Sequence, residues 1–97
     1  MKPVEVHPDA EADADEAFEW YWARSESAAL GFDVELRNAI DTLRRSPGIC
    51  AAYLPGTRRM MLHRYPFFLV FRELPRKIQI LAVAHSKRLP GYWRERI

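Results

Sequence analysis

The sequence lacks several features on which large classes of protein depend. It has a single cysteine, Cys50, which excludes an intramolecular disulfide. It has no run of about 18 consecutive apolar residues, and its start does not place a basic segment before an apolar one. These absences predict a cytoplasmic protein that is neither exported nor inserted into a membrane.

Metal and cofactor patterns are also missing. The histidines and the lone cysteine show no zinc-ligand spacing, and there is no glycine loop of the kind that cradles phosphates. Carboxylates crowd the start of the first predicted helix, where they interact favourably with the helix dipole, and at alternating positions they diverge around a helix. We therefore expect no metal and no cofactor. These carboxylates are Asp9, Glu11, Asp13, Asp15 and Glu16.

Length and composition indicate one globular domain over residues 1–97. Hydrophobic residues make up 48% of the chain and twelve residues are aromatic, which excludes a disordered polypeptide. The net charge of +2 hides two halves of opposite sign: residues 1–50 carry −6 and residues 51–97 carry +8. The basic half could meet nucleic acid or an acidic protein, or it could simply form solvated strand faces.

The first half predicts a strand followed by a helical hairpin. Val4-Glu5-Val6 alternates as a short strand does, and His7-Pro8 ends it and suits a first helical turn. Apolar residues then recur at helical spacing, with a turn expected from Ser25 to Gly31 and a stop at Ser46-Pro47-Gly48. The apolar positions are Phe18, Tyr21, Trp22, Phe32, Leu36, Ala39, Ile40 and Leu43.

The second half changes to strand periodicity. Strands are predicted at 51–54, 59–64, 67–73 and 77–84, separated by breaks short enough for hairpins. Short connections make neighbouring strands antiparallel, and a helical hairpin laid on one face of the sheet would bury its apolar stripe. The predicted fold class is a two-layer α+β domain. The N-terminal strand and helical hairpin pack on a mainly antiparallel sheet of three to four further strands, followed by a short C-terminal segment.

Chemistry-bearing residues concentrate where the last predicted strand ends. His85 is followed by Lys87, Arg88, Tyr92 and Trp93, so an imidazole, two cations and two aromatic rings fall within nine residues. Such a cluster suits an anionic or aromatic partner. The alternative is structural: a histidine bonded to its own loop, and aromatic rings that cover the core, which is the role we expect for Trp93.

Four segments together resemble the RelE/ParE superfamily of bacterial toxins, and in particular its ParE-like, plasmid-stabilisation branch. They are Gly56-Thr57-Arg58-Arg59, the run 65–71, the run 78–85, and Arg88-Leu89-Pro90-Gly91-Tyr92-Trp93. The resemblance implies a small toxin neutralised by a cognate antitoxin protein. It leaves two activities open, since RelE-like members cut messenger RNA on the ribosome and ParE-like members inhibit DNA gyrase.

The residues favour binding over RNA cleavage. In cleaving members the middle of the aromatic strand carries an arginine aimed at the phosphate, and the matching residue here is Phe68. The lysines of the preceding strand also have no clear match, because Met60, Met61 and Leu62 occupy that stretch, which leaves Arg59 and Arg64 as the alternative cations. We therefore expect a binding toxin, with messenger-RNA endonuclease and a non-toxic degenerate member as alternatives.

The resemblance and the charge pattern together suggest three groups of site residues. For target binding we expect Arg58, Arg59, Arg64, His85, Lys87, Arg88 and Tyr92. For antitoxin binding we expect the adjacent aromatic residues Trp20, Tyr21 and Trp22. If the chain were a nuclease, His85, Arg88 and Tyr92 would be the catalytic candidates. The oligomeric state does not follow from the sequence.

Overall fold

A computed structural model describes residues 2–97 as two helices packed on a five-stranded sheet. The helices are α1 (Pro8–Trp22) and α2 (Glu26–Arg45). The strands are β1 (Val4–Val6), β2 (Ala51–Ala52), β3 (Arg58–Met61), β4 (Phe67–Glu73) and β5 (Ile78–His85). Single turns of 3-10 helix lie at Pro47–Ile49 and Arg94–Arg96. The predicted α+β class is confirmed, with four strands after the helical hairpin.

The sheet has the strand order β1-β5-β4-β3-β2. Hairpin connections make β2 to β5 antiparallel neighbours, whereas β1 pairs in parallel with β5, from which both helices and three strands separate it along the chain. A bulge interrupts the β4–β5 ladder: Val70 pairs with Ala82 but Phe71 pairs with Ile80, so Leu81 has no partner in β4. The central strand of the sheet is β4, with β5 on one side and β3 on the other.

The predicted turn from Ser25 to Gly31 is wrong, because α2 begins at Glu26. Ser25 is the N-cap, and its hydroxyl accepts a hydrogen bond from the Ala28 N–H at 3.2 Å. Gly31 lies inside the helix, where a Cβ would stand 2.5 Å from the Tyr65 hydroxyl. Its role is close approach to the β3–β4 turn, not a chain reversal.

Strand boundaries also differ from the prediction in the less regular pair. The predicted strands at 51–54 and 59–64 shorten to Ala51–Ala52 and Arg58–Met61, while β4 matches its predicted limits and β5 differs by one residue at each end. The loss at 62–64 has a physical reason. The Glu35 carboxylate of α2 accepts hydrogen bonds from the His63 and Arg64 N–H groups, which takes them out of the ladder.

Two apolar layers cover the two faces of the sheet. The inner layer lies under the helices and includes Phe32, Leu36 and Leu43 of α2 against Leu69 and Phe71 of β4. The outer layer lies under the C-terminal segment, where Trp93 is 1% exposed and packs with buried residues of β4 and β5. The expectation that Trp93 packs onto the core is confirmed. The C-terminal segment is thus a third layer over part of the sheet.

Candidate functional site

A cleft of about 570 Å³ opens between α1 and the C-terminal end of β5. One wall is the solvent-facing side of α1, the floor is the end of β5, and the other wall is the chain that follows β5. The residues that line the cleft are Asp13, Glu16, Ala17, Glu19, Trp20, Tyr21, Phe67, Val83, His85, Arg88 and Tyr92. Both walls therefore carry charged and aromatic side chains.

Asp13 joins three parts of the chain at the inner end of the cleft. Its carboxylate accepts hydrogen bonds from the Arg96 guanidinium at 2.7 and 3.2 Å, from the Val83 N–H at 3.1 Å and from the Tyr92 hydroxyl at 3.3 Å. The side chains of Asp13 and Arg96 are only 12% and 13% exposed. Charge-assisted bonds of this kind are the stronger ones, so they fasten the C-terminal segment to α1.

Tyr92 belongs to this network through its hydroxyl, and its ring lies under the Arg88 guanidinium. Burial, together with the neighbouring Asp13 carboxylate, raises the pKa of Tyr92 to about 12, although the Arg88 and Arg96 cations act in the opposite direction. The Arg88 guanidinium lies over the Tyr92 ring at 3.8 Å from its centre. The hydroxyl is therefore a weak acid that already donates to a carboxylate, and the exposed cation above the ring is Arg88.

His85 lies at the floor of the cleft in a fixed orientation. Its ring stands edge-on to Phe67 with centroids 5.0 Å apart, and its Nδ1 accepts a hydrogen bond from the Lys87 N–H at 3.1 Å. The expectation of a histidine bonded to its own loop is confirmed. The same geometry leaves Nε2 as the nitrogen available to a partner.

The aromatic residues near the end of α1 divide between two surfaces. Trp20 and Tyr21 line the cleft, and the Arg24 guanidinium covers the Trp20 ring at 3.7 Å from its centre. Trp22 lies outside the cleft and stacks on Phe18 with centroids 5.7 Å apart. Trp20 and Trp22 remain about half exposed, at 53% and 49%. Only two of the three aromatic candidates thus share a surface.

Three of the predicted target-binding arginines do not reach the cleft. Arg58 donates hydrogen bonds to the Gly48 and Cys50 carbonyls at 3.4 and 3.2 Å, which ties β3 to the segment before β2. Arg59 lies over the Tyr53 ring on the outer face, and Arg64 is exposed in the β3–β4 turn. Lys87 is exposed beside the cleft without lining it. The basic half of the chain therefore does not form one continuous patch.

Phe68 lies on the outer face of β4, away from the cleft. It is 5% exposed and packs in the layer that Trp93 covers. Tyr53 stands edge-on to it at 5.6 Å between ring centroids. A side chain at this position is enclosed by aromatic groups, so it is suited to packing and not to meeting a phosphate.

Sequence reasoning missed the acidic wall of the cleft and the role of Arg96. The acidic residues of α1 were interpreted as helix chemistry alone, yet Asp13, Glu16 and Trp20 are spaced by three and four residues and share one helix face. That spacing was visible. The pairing of Asp13 with Arg96 spans 83 positions, and no local pattern indicates it.

Neither a metal centre nor a membrane span is found among residues 2–97. No three His, Cys, Asp or Glu side chains in this part of the chain are grouped so that they could hold a metal ion. Neither α1 nor α2 is long and apolar enough to cross a membrane.

The fold is that of a small α+β toxin of the RelE/ParE superfamily. A sequence profile described as "ParE toxin of type II toxin-antitoxin system, parDE" matches residues 4–90. The chain therefore belongs to the ParE toxin family. Among curated proteins, no sequence matches the chain significantly.

A solved structure supports the same relationship. It is described as "Chromosomal ParDE TA system from P. aeruginosa", and it is similar to this chain with a TM-score of 0.80 at 25% sequence identity. The match covers 90% of this chain and 98% of that one. The likeness therefore extends over most of the chain and is not confined to one motif.

Proposed function

We propose that this chain is a ParE toxin that acts in the cytoplasm by binding a protein target, with DNA gyrase as the target, and that a cognate antitoxin neutralises it. Membership of the family supports the toxin and antitoxin roles. The observation that carries the choice of mechanism is Phe68, which is buried under the Trp93 layer where RNA-cleaving relatives carry an arginine for the phosphate.

The chemistry of the cleft also favours binding over RNA cleavage. Cleavage needs a base for the 2′-hydroxyl, a cation for the developing charge and an acid for the leaving oxygen. His85, Arg88 and Tyr92 do lie together, which is the observation in favour of the runner-up, an endonuclease. However, the pKa of Tyr92 at about 12 makes it a poor proton donor near neutral pH, and its hydroxyl is bonded to Asp13.

The proposal gives the antitoxin and the target overlapping sites on the cleft, so that a bound antitoxin covers residues that the target needs. Trp20 and Tyr21 on the α1 wall are proposed for the antitoxin, because both rings line the cleft among charged groups and Trp20 is about half exposed. Lys87 and Arg88, which are exposed after β5, are proposed for the target together with His85. The assignments of Arg58, Arg59 and Arg64 to target binding are not proposed further, because these residues lie on other parts of the surface.

The deciding experiment compares the two activities with one preparation of purified protein. We expect inhibition of DNA supercoiling by gyrase, relieved by the antitoxin, and no cleavage of translated messenger RNA as read by primer extension. Codon-register cleavages that disappear in the His85→Ala or Arg88→Ala variant would overturn the binding mechanism. Failure to capture any product of the adjacent reading frame would overturn the toxin and antitoxin pairing.

A further inference from the structure

The side of β5 that faces the cleft is an unpaired strand edge. The Ser86 N–H donates to the Pro66 carbonyl at 2.8 Å, so in this antiparallel ladder Pro66 and Ser86 form a hydrogen-bonded pair. Hydrogen-bonded and non-bonded pairs alternate, which means that the backbone groups of Val83 and His85 point away from β4. They point to the side on which β1 pairs with β5.

The parallel strand β1 ends before it reaches these groups. Its pairing stops where Val6 meets Ile80, and the last bond on that side runs from the His7 N–H to the Ile80 carbonyl at 2.9 Å. After His7 the chain leaves the sheet as α1. The C-terminal half of β5 therefore lacks a strand neighbour on this side.

Beyond the end of β1, two side chains make the hydrogen bonds to β5 that a neighbouring strand would otherwise make. Arg96 donates to the Leu81 carbonyl at 2.8 Å, and Asp13 accepts from the Val83 N–H at 3.1 Å. The next groups along the edge are the Val83 carbonyl and the His85 N–H, and neither has a hydrogen-bond partner among residues 2–97. One acceptor and one donor thus face the cleft at strand spacing, which is the template for a further strand.

The charges on the two walls of the cleft determine which side chains would suit an added strand. Side chains of an extended segment alternate between two faces, so one set would meet the α1 wall and the other the wall after β5. The α1 wall presents the exposed carboxylates of Glu16 and Glu19, and the opposite wall presents the Arg88 guanidinium over Tyr92. The charges on the two walls are opposite, so the complementary segment alternates in charge.

We infer that an extended segment of the antitoxin adds to the sheet as a short strand along Val83 to His85. Its Lys or Arg side chain faces Glu16 and Glu19, and its Asp or Glu side chain faces Arg88. Main-chain hydrogen bonds supply affinity in such strand addition, and the side-chain pockets supply specificity. This inference rests on the proposed function, since it takes the antitoxin as the partner.

Amide hydrogen exchange in the complex with the product of the adjacent reading frame tests the strand pairing. We expect protection of the His85 amide to rise by about tenfold or more beyond the rise at the Val83 amide, because a main-chain hydrogen bond protects the donor amide from exchange. Val83 is the internal reference because Asp13 already accepts its N–H. If protection from exchange rises equally at both amides, or does not rise at the His85 amide, the inference is wrong. The proposed function would still stand, because the complex has formed.

A charge-reversal pair tests the orientation of the segment. Glu16→Lys with Glu19→Lys should weaken antitoxin binding by about tenfold or more, since like charges would then face each other across a partly enclosed cleft. Glu11→Lys with Asp15→Lys is the matched control, because these exposed acids lie on the same helix outside the cleft and change the net charge equally. Equal losses in the two variants would contradict the proposed orientation. If no complex forms with the unmodified chain, the proposed function itself fails.

Discussion

The C-terminal segment contains two stretches with opposite relations to the rest of the molecule. Residues 86–90 are all exposed and form a turn in which the Arg88 N–H bonds the His85 carbonyl at 3.0 Å. Residues 92–96 cover the outer face of the sheet and reach Asp13. The same short segment thus displays cations in its first part and anchors itself in its second.

Gly91 separates the two stretches. Its φ of +90° lies in the left-handed region that other residues rarely adopt, and a Cβ there would stand 3.3 Å from the Arg94 Nε. The chain reverses at this point and brings Tyr92 and Trp93 back onto the sheet. Residues 86–90 and 92–96 are neighbours in the sequence, yet the first are exposed and the second are anchored. Exposure therefore indicates which residues are available to a partner and which serve the fold.

The largest expected effect lies in the anchored stretch, at Trp93. Trp93→Ala should lower the free energy of unfolding by about 3–5 kcal/mol, because it removes a fully buried ring and leaves a cavity in the outer layer. Trp22→Ala is the matched control and should cost about 1 kcal/mol, since its ring is half exposed and mainly stacks on Phe18. Urea denaturation measures both. Similar losses in the two variants would show that the C-terminal layer does not stabilise the sheet.

A smaller and pH-dependent effect is expected at Tyr92. The folded-state pKa of about 12 lies above the ordinary tyrosine value of 10.0, so the neutral hydroxyl is favoured by folding. Its contribution is fully present below pH 10 and is lost as the pH rises through the folded pKa. Tyr92→Phe should cost about 0.5–1.5 kcal/mol at pH 7, the usual range for a lost hydrogen bond.

The measurement for Tyr92 is the difference in thermal stability between wild type and Tyr92→Phe across this range. The difference in stability between wild type and Tyr92→Phe should narrow between pH 10 and 12. Groups that titrate alike in the two proteins cancel when one stability is subtracted from the other. A gap that stays constant or widens as the pH rises would contradict the burial of the hydroxyl against Asp13.

These contrasts show how far sequence reasoning reaches. The α+β class and the burial of Trp93 were predictable, because apolar periodicity and short connections are local signals. The parallel pairing of β1 with β5 and the bond from Asp13 to Arg96 were not, because both join residues more than 70 positions apart. The true start of α2 was missed because Gly31 was interpreted as a turn residue and not as a point of close contact with Tyr65.

The smallest effect on stability, and the largest on activity, is expected in the displayed stretch. Arg88→Ala should change the free energy of unfolding by less than about 0.5 kcal/mol, because its guanidinium is exposed above the Tyr92 ring. Loss of an arginine from an interface with a target can exceed about 2 kcal/mol, so growth inhibition should fall sharply. Arg76→Ala is the matched control, an exposed arginine in the β4–β5 turn at the far end of the sheet.

Growth of a bacterial host after induction of Arg88→Ala, with the melting temperature of the same variant, tests most directly whether the displayed stretch serves the target and not the fold. The account predicts normal growth with Arg88→Ala, arrested growth with Arg76→Ala and the wild type, and melting temperatures that agree among all three. An Arg88→Ala variant that unfolds, or one that arrests growth as the wild type does, would contradict it.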